Sequence, residues 1–159
     1  ITYIPTQDGF VYLSCIMDLF SRRIVSWEIA PTLETHYVIN AVKKAIITSG
    51  MRPKVIHTDR GVQYTSVSYY DETKGIIKSY SSKGNPWDNA CIESFHSLIK
   101  REWLNRFNVR NLGHAHRLVF EYIDMFYNTR RIHSFCGYLS PLNYERNYYS
   151  SMPVKKAIA

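Results

Sequence analysis

Lys54-Val55-Ile56-His57-Thr58-Asp59-Arg60-Gly61 is the stretch on which the fold turns. A short β-prone run after Pro53 ends in a polar turn, as a buried strand of an α/β sheet does, and leaves Asp59 at the strand's C-terminal edge. An amphipathic helix precedes it. Val38, Ala41, Val42, Ala45 and Ile46 recur at helical spacing after an N-cap at Thr35, and Gly50 stops the run. Earlier still, residues 1–5 and 10–17 flank the turn residues Gln7-Asp8-Gly9, and residues 23–29 alternate polar with apolar. That pattern predicts a three-stranded antiparallel meander. Downstream, residues 66–73 read as a short helix stopped by Gly75, and residues 76–80 as a short strand. The order predicts an α/β fold with a five-stranded mixed sheet flanked by helices.

Helix signals strengthen from Asn85. Asn85 can cap, Pro86 suits the first helical position, Asp88 complements the helix N-terminus, and Ile92, Phe95, Ile99 and Trp103 form an apolar stripe. Glu93 then falls on the second turn, beside the stripe. A further C-terminal helix carries Ala115, Leu118, Val119, Tyr122, Met125 and Phe126 on one face.

The 159 residues are 45% hydrophobic, with 20 Lys+Arg against 13 Asp+Glu, so the chain is one basic domain of net charge +7. A cation surplus of this kind favours a polyanionic partner through counterion release. Cys15, Cys91 and Cys136 stand far apart without paired spacing, which points to neither a disulfide framework nor a structural zinc site. The longest apolar runs are about half of a membrane span, so no membrane partner and a cytoplasmic location are expected. The opening Ile1-Thr2-Tyr3-Ile4 reads as mid-strand, so an upstream segment is expected.

Asp59 and Glu93 are the two acids whose placement suggests chemistry, one at a strand edge and one on a helix flank. Hard divalent cations prefer carboxylate oxygens, and a pair of such ions can activate a nucleophile and stabilise a leaving oxygen in phosphoryl transfer. About three acids normally build such a site. By spacing alone, Asp59 equally suits a turn bond to the Arg60-Gly61 backbone and Glu93 a solvated helix face.

Three longer segments carry more information: His57-Thr-Asp-Arg-Gly-Val-Gln-Tyr-Thr-Ser66, Lys83-Gly-Asn-Pro-Trp-Asp-Asn-Ala-Cys-Ile-Glu-Ser-Phe-His96 and Tyr127-Asn-Thr-Arg-Arg-Ile-His-Ser-Phe-Cys-Gly-Tyr-Leu-Ser-Pro141. Together with Ile1-Thr-Tyr-Ile4 and Asp18-Leu-Phe-Ser-Arg-Arg-Ile-Val25, they resemble the integrase-core (DDE) catalytic domain of bacterial insertion-sequence transposases, which are related to retroviral integrases. The resemblance spans residues 1–145 and treats 146–159 as a C-terminal tail. It implies a ribonuclease-H-like fold, and two Asp and one Glu holding two Mg (or Mn) ions for DNA cleavage and strand transfer. It also implies transposon-end and target DNA as partners, a homo-oligomer on DNA, and a place at the bacterial nucleoid.

By that motif Asp59 is the second acid and Glu93 the third, both catalytic and metal-binding. The first acid stands immediately before Ile-Thr-Tyr-Ile in the resembling domains, so this chain by itself is expected to be inactive. Asp18 matches another family position and suits a turn acid. Asp59 and Glu93 are separated by 33 residues, two fewer than in the family pattern, with the shortfall between Tyr69 and Gly75. Two other readings stay open: a different ribonuclease-H-like nuclease, or a catalytically dead nucleic-acid-binding module.

Candidate DNA contacts follow from charge and position. Lys83 precedes the Glu93 helix, and Lys100, at i+7 from Glu93, shares its face. Arg130 and Arg131 form a dense basic cluster with His133, interleaved with Tyr127 and Phe135, which suits phosphate binding and base stacking. Each of these cations equally suits a solvated face or a helix cap. His96, one turn after Glu93, is placed either to support a metal ligand from behind or to face solvent. His57 alternates with Asp59 and reads best as a packed strand histidine.

Overall fold

The computed structural model describes residues 1–82 and 86–152. Its first unit is the expected meander. Strands β1 (Thr2–Thr6), β2 (Gly9–Met17) and β3 (Ile24–Ala30) pair antiparallel in that order. Thr6 pairs with Gly9 across the β1–β2 turn, where Gly9 takes a positive φ of 116° that β-carbons resist. Between Ile16 and Met17 the β2–β3 register shifts, so Met17 pairs with Ile24 while Val25 is left over. This bulge turns the Ile24 side chain into the same core as Ile29.

Helix α1 (Thr35–Ser49) covers one face of the meander through Val38, Ala41, Val42 and Ala45. Its N-cap is Glu34, and the expected cap Thr35 is already helical. Strand β4 (Val55–Thr58) follows, then α2 (Val67–Glu72), capped by Ser66, and β5 (Ile77–Tyr80). The six-residue α2 overlaps the stretch between Tyr69 and Gly75.

All five predicted strands form, but not as one sheet. β4 pairs in parallel with β5, giving a two-stranded sheet beside the three-stranded one. Apolar packing beneath α1 and α2 joins the two: Ile1, Ile16, Ile56 and Tyr64 surround buried Val38, Val42 and Tyr69. Side chains, and no described backbone ladder, bridge β1 and β4, and this is where the single five-stranded sheet is corrected.

On the other face lies the larger core. Helix α3 (Ala90–Glu102) contributes Phe95 and Ile99, and α4 (Leu112–Tyr122) contributes Ala115, Leu118, Val119 and Tyr122, packed on Ile4, Val11, Leu13 and Ile29. α3 starts later than expected: Pro86–Asn89 forms a 3₁₀ turn, and Asn89 precedes the first α-helical residue. Asp88 accepts the Ser82 N–H at 2.8 Å, a bond that ties this turn to β5. Glu93 consequently sits in the first turn of α3. Asn85, the expected cap, lies outside the described residues.

A second correction concerns α4. The expected stripe ends in Met125 and Phe126, yet both are exposed, because Ile123–Tyr127 winds as a π-turn. The wider turn rotates the chain and buries Ile123 and Tyr127 in their place. Helix α5 (Pro141–Ser151), capped by Ser140, runs through the expected boundary between 145 and 146. No described helix is long and apolar enough to cross a membrane.

The π-turn delivers Asn128 to the edge of β3. Its Oδ1 accepts the Ile24 N–H at 2.9 Å and its Nδ2 donates to the Ile24 carbonyl at 3.0 Å, so one amide side chain replaces a neighbouring strand. Its own carbonyl accepts the Leu142 N–H at 3.0 Å. Asn128→Ala should therefore lower the unfolding free energy by about 2–4 kcal/mol, since two buried main-chain groups lose their partners. Urea denaturation checks this, and a loss under about 1 kcal/mol would count against the edge-pairing role.

Candidate active site

Asp59 follows directly on β4 and is exposed. Its Oδ1 accepts the Gly61 N–H at 2.8 Å, which is the local turn bond its sequence context allowed. The turn fits closely: a Cβ on Gly61 would stand 3.0 Å from Asp59 Oδ1 and 3.2 Å from Gln63 Oε1. Gln63 Nε2 donates to the Leu33 carbonyl at 3.1 Å, fastening the turn to the segment before α1. Beneath it, burial and the nearby Asp59 carboxylate push the Tyr64 phenol above its ordinary range. Asp59 Oδ2 has no hydrogen bond among the described residues.

Glu93 is exposed in the first turn of α3, where an acid opposes the positive end of the helix dipole. Its carboxylate has no hydrogen bond or ion pair among the described residues. Both acids hang on the exit from β5. The Ser81 N–H donates to the Thr58 carbonyl at 3.0 Å, just before Asp59, and Arg60 Nε donates to the Ser81 carbonyl at 3.4 Å. The next residue, Ser82, donates to Asp88 in the turn that leads into α3. Among the described residues, no group of three His, Cys, Asp or Glu side chains is gathered to hold a metal ion.

The Glu93 flank of α3 faces β1. Lys100 Nζ lies 4.2 Å from the centre of the Tyr3 ring, and partial burial lowers its ammonium pKa. His96 is largely enclosed, its Nε2 buried without a hydrogen-bond partner, and Trp103 Nε1, two turns along, is in the same state. Burial drives the His96 imidazole down to about 3, with the Lys100 ammonium adding to the effect.

The basic cluster is divided. Arg130 is exposed, whereas Arg131 forms a bidentate pair with Glu102 at 2.8 and 2.7 Å, and the same carboxylate accepts the Tyr122 hydroxyl at 2.6 Å. The Arg131 hydrogen bonds hold the Glu102 carboxyl below the usual carboxylate range. Lys83 lies outside the described residues. His57 has both ring nitrogens bonded to hydroxyls, Ser79 at 2.9 Å and Ser81 at 3.1 Å, as a packed strand histidine. Asp18 accepts the Ser21 N–H and hydroxyl at 2.8 and 2.6 Å, a turn acid. Sequence reasoning passed over Glu102 and Arg22. The side chain of each finds its contacts across a long separation, which the Asp18–Val25 segment around Arg22 and the helical pattern around Glu102 do not encode.

The His96 environment has a measurable consequence. The folded state holds a His96 proton more weakly than the unfolded chain, whose imidazole keeps the ordinary value of 6.5. Stability from this group is therefore complete above pH 6.5 and lost progressively as pH falls toward 3. Denaturant unfolding at pH 7 and pH 5 should show a smaller acid-induced loss in His96→Gln than in the wild type; equal losses would place the imidazole in solvent.

Comparison with known proteins gives this geometry a family. Residues 1–86 match the model of the integrase core domain, and residues 74–141 match a second model of the same description. The transposase for insertion sequence element IS904 of Lactococcus lactis subsp. lactis (strain IL1403) is 39% identical over 148 residues, 91% of this chain and 58% of that protein. Transposase InsF for insertion sequence IS3A of Escherichia coli (strain K12) is 38% identical over 151 residues, 91% of this chain and 51% of that protein. The chain thus spans somewhat over half the length of these relatives. The HTLV-2 integrase catalytic core domain in complex with magnesium matches in structure with a TM-score of 0.67 at 17% identity, over 89% of each chain, a likeness of fold. With more than half of its residues matched by a single family model, the chain belongs to the integrase core domain family.

Proposed function

We propose that this chain is the catalytic core of an insertion-sequence transposase with a ribonuclease-H-like fold. It would cut transposon-end DNA and join it to target DNA by metal-dependent in-line phosphoryl transfer. The observation that carries the reading is the placement of Asp59 and Glu93. Two exposed carboxylates with unengaged oxygens stand on segments that are both tied to the exit of β5, within an integrase core.

The donor set suits Mg or Mn, since both groups offer carboxylate oxygen and neither is spent on an ion pair. Asp59 and Glu93 would hold two such ions, with a third acid from the residue preceding Ile1 in a longer chain. When bound, the ions supply Lewis-acid activation of the attacking hydroxyl and stabilisation of the leaving oxygen. The Gly61 N–H fixes one Asp59 oxygen and so aims the other outward. His96 and Trp103 seat the Glu93 flank of α3 against β1. Lys83, Lys100 and Arg130 contact DNA phosphates, while Arg131, held by Glu102, adds positive charge from a fixed position. Two transposon ends must be brought together, so the protein acts as a homo-oligomer on DNA at the bacterial nucleoid.

Strand-transfer assays with end oligonucleotides and the full-length transposase test this. Asp59→Asn and Glu93→Gln should each lower product by roughly a thousandfold with the circular dichroism unchanged. Either variant retaining activity within about tenfold of wild type would overturn the assignment. Cleavage without joining in the wild type would identify a nuclease instead. Gly61→Ala keeps an ordinary φ but crowds the Asp59 carboxylate, and should cost about tenfold in rate with little change in melting temperature.

A further inference from the structure

A cavity of about 220 Å³ opens on the flank of α3 away from Lys100, between Cys91 and Ser94 of the first helical turns and the segment carrying His133 and Phe135. Arg22 reaches into it from the β2–β3 connection. Its backbone is held at a positive φ of 62°, which costs a non-glycine residue free energy. Two bonds fix it there: the Arg22 N–H to the Asp18 carbonyl at 2.8 Å, and the Tyr127 hydroxyl to the Arg22 carbonyl at 3.1 Å. The guanidinium lies 3.9 Å from the centre of the Phe135 ring and donates to Cys91 Sγ at 2.8 Å.

That environment is unusual for an arginine. Among the described residues no carboxylate pairs with Arg22, although Arg23, next to it, pairs with Glu145 at 3.0 Å. His133, in the same cavity wall, has Nδ1 buried without a partner. The Ser94 hydroxyl is exposed at the rim and makes no hydrogen bond among the described residues. A guanidinium held on an aromatic face, beside a spare hydroxyl, presents donors and no counter-charge, which suits a phosphate oxygen.

We propose that this cavity is a subsite for a phosphate ester, with Arg22 as the charged donor and the Ser94 hydroxyl beside it. Residues Glu93, Ser94, Ser97 and Arg101 form the exposed ridge of α3. Lys100 stands on one side of that ridge and Arg22 on the other. A nucleic-acid backbone crossing the ridge meets a cation on each flank, so α3 is gripped from both sides while Glu93 stays on the Lys100 side. The nature of the macromolecule rests on the transposase reading; the phosphate chemistry of the cavity does not.

The test measures duplex binding by the full-length transposase across a range of salt concentrations. Arg22→Gln should weaken binding about tenfold and reduce the slope of log affinity against log salt by about 1, and Arg22→Lys should restore the slope because it keeps the charge. A Lys variant that behaves like Gln would assign Arg22 to positioning the 133–137 segment and overturn the subsite. Ser94→Asp, at an exposed position, puts a carboxylate in the cavity to compete for the Arg22 guanidinium and should weaken binding similarly, which covers the case in which Arg22→Gln fails to fold. In a parallel arm, inorganic phosphate at matched ionic strength should raise the melting temperature of the wild type and not of Arg22→Gln. A phosphate effect with an unchanged DNA slope would make free phosphate the ligand, whereas no effect in either arm overturns the proposal. Strand transfer by Asp59→Asn is read separately: activity retained there ends the catalytic reading, whereas the Arg22 slope and the phosphate arm test this subsite alone.

Discussion

The paired hydrogen bonds between the Asn128 side chain and the Ile24 main chain hold the ends of the chain together. β3 is an edge strand, and its Ile24 N–H and carbonyl would be unsatisfied in the core without a partner. One amide, arriving 104 residues later in sequence, supplies both bonds. Tyr127 beside it packs on Phe95 with ring centres 4.8 Å apart, and its hydroxyl reaches the Arg22 carbonyl. The meander, the Glu93 helix and the C-terminal segment therefore meet at one point. The orientation of α3, and with it that of Glu93, depends on the bonds made there.

Charge is distributed to match. Several acids elsewhere in the chain neutralise cations or accept a side-chain donor: Glu145 with Arg23, Glu72 with Lys43, Glu28 with Lys44, Glu102 with Arg131, and Asp124 accepting from Trp27 Nε1. Glu93 and the second oxygen of Asp59 lie outside this internal accounting. Among exposed pairs the net stabilisation is small, so these pairings matter more for leaving the surplus of positive charge in particular places than for stability. Lys100, Arg130 and Arg22 are among the cations left without a carboxylate.

Much of this was readable from the sequence where the deciding forces are local. Alternation gave β1 to β3, a 3.6-residue period gave α1 and the Phe95–Ile99 stripe, and the polar turn after His57 placed Asp59. What escaped depends on distant partners. The start of α3 moved because Asp88 bonds Ser82, and no pattern within the helix encodes that. Met125 and Phe126 fit a helical period, but the winding changed at Ile123 to bring Asn128 to β3, so tertiary bonding overrode periodicity. The two sheets separate because apolar side chains, more than main-chain ladders, fill the space between β1 and β4. In the basic cluster, composition could not tell Arg130 from Arg131, since the difference is Glu102, 29 positions away.

The π-turn at Ile123–Tyr127 also bears on how this chain can change length over evolutionary time. A π-turn is in effect one residue inserted into a helix, and a deletion there would heal the winding of α4 at almost no local cost. The same deletion would rotate everything beyond it by about 100°, carrying the Asn128 amide off Ile24 and Tyr127 out of the core. Helical propensity thus makes the deletion easy, while the distant strand edge makes it lethal to the fold. The extra residue acts as a spacer, and its length is matched to a strand it never touches in sequence.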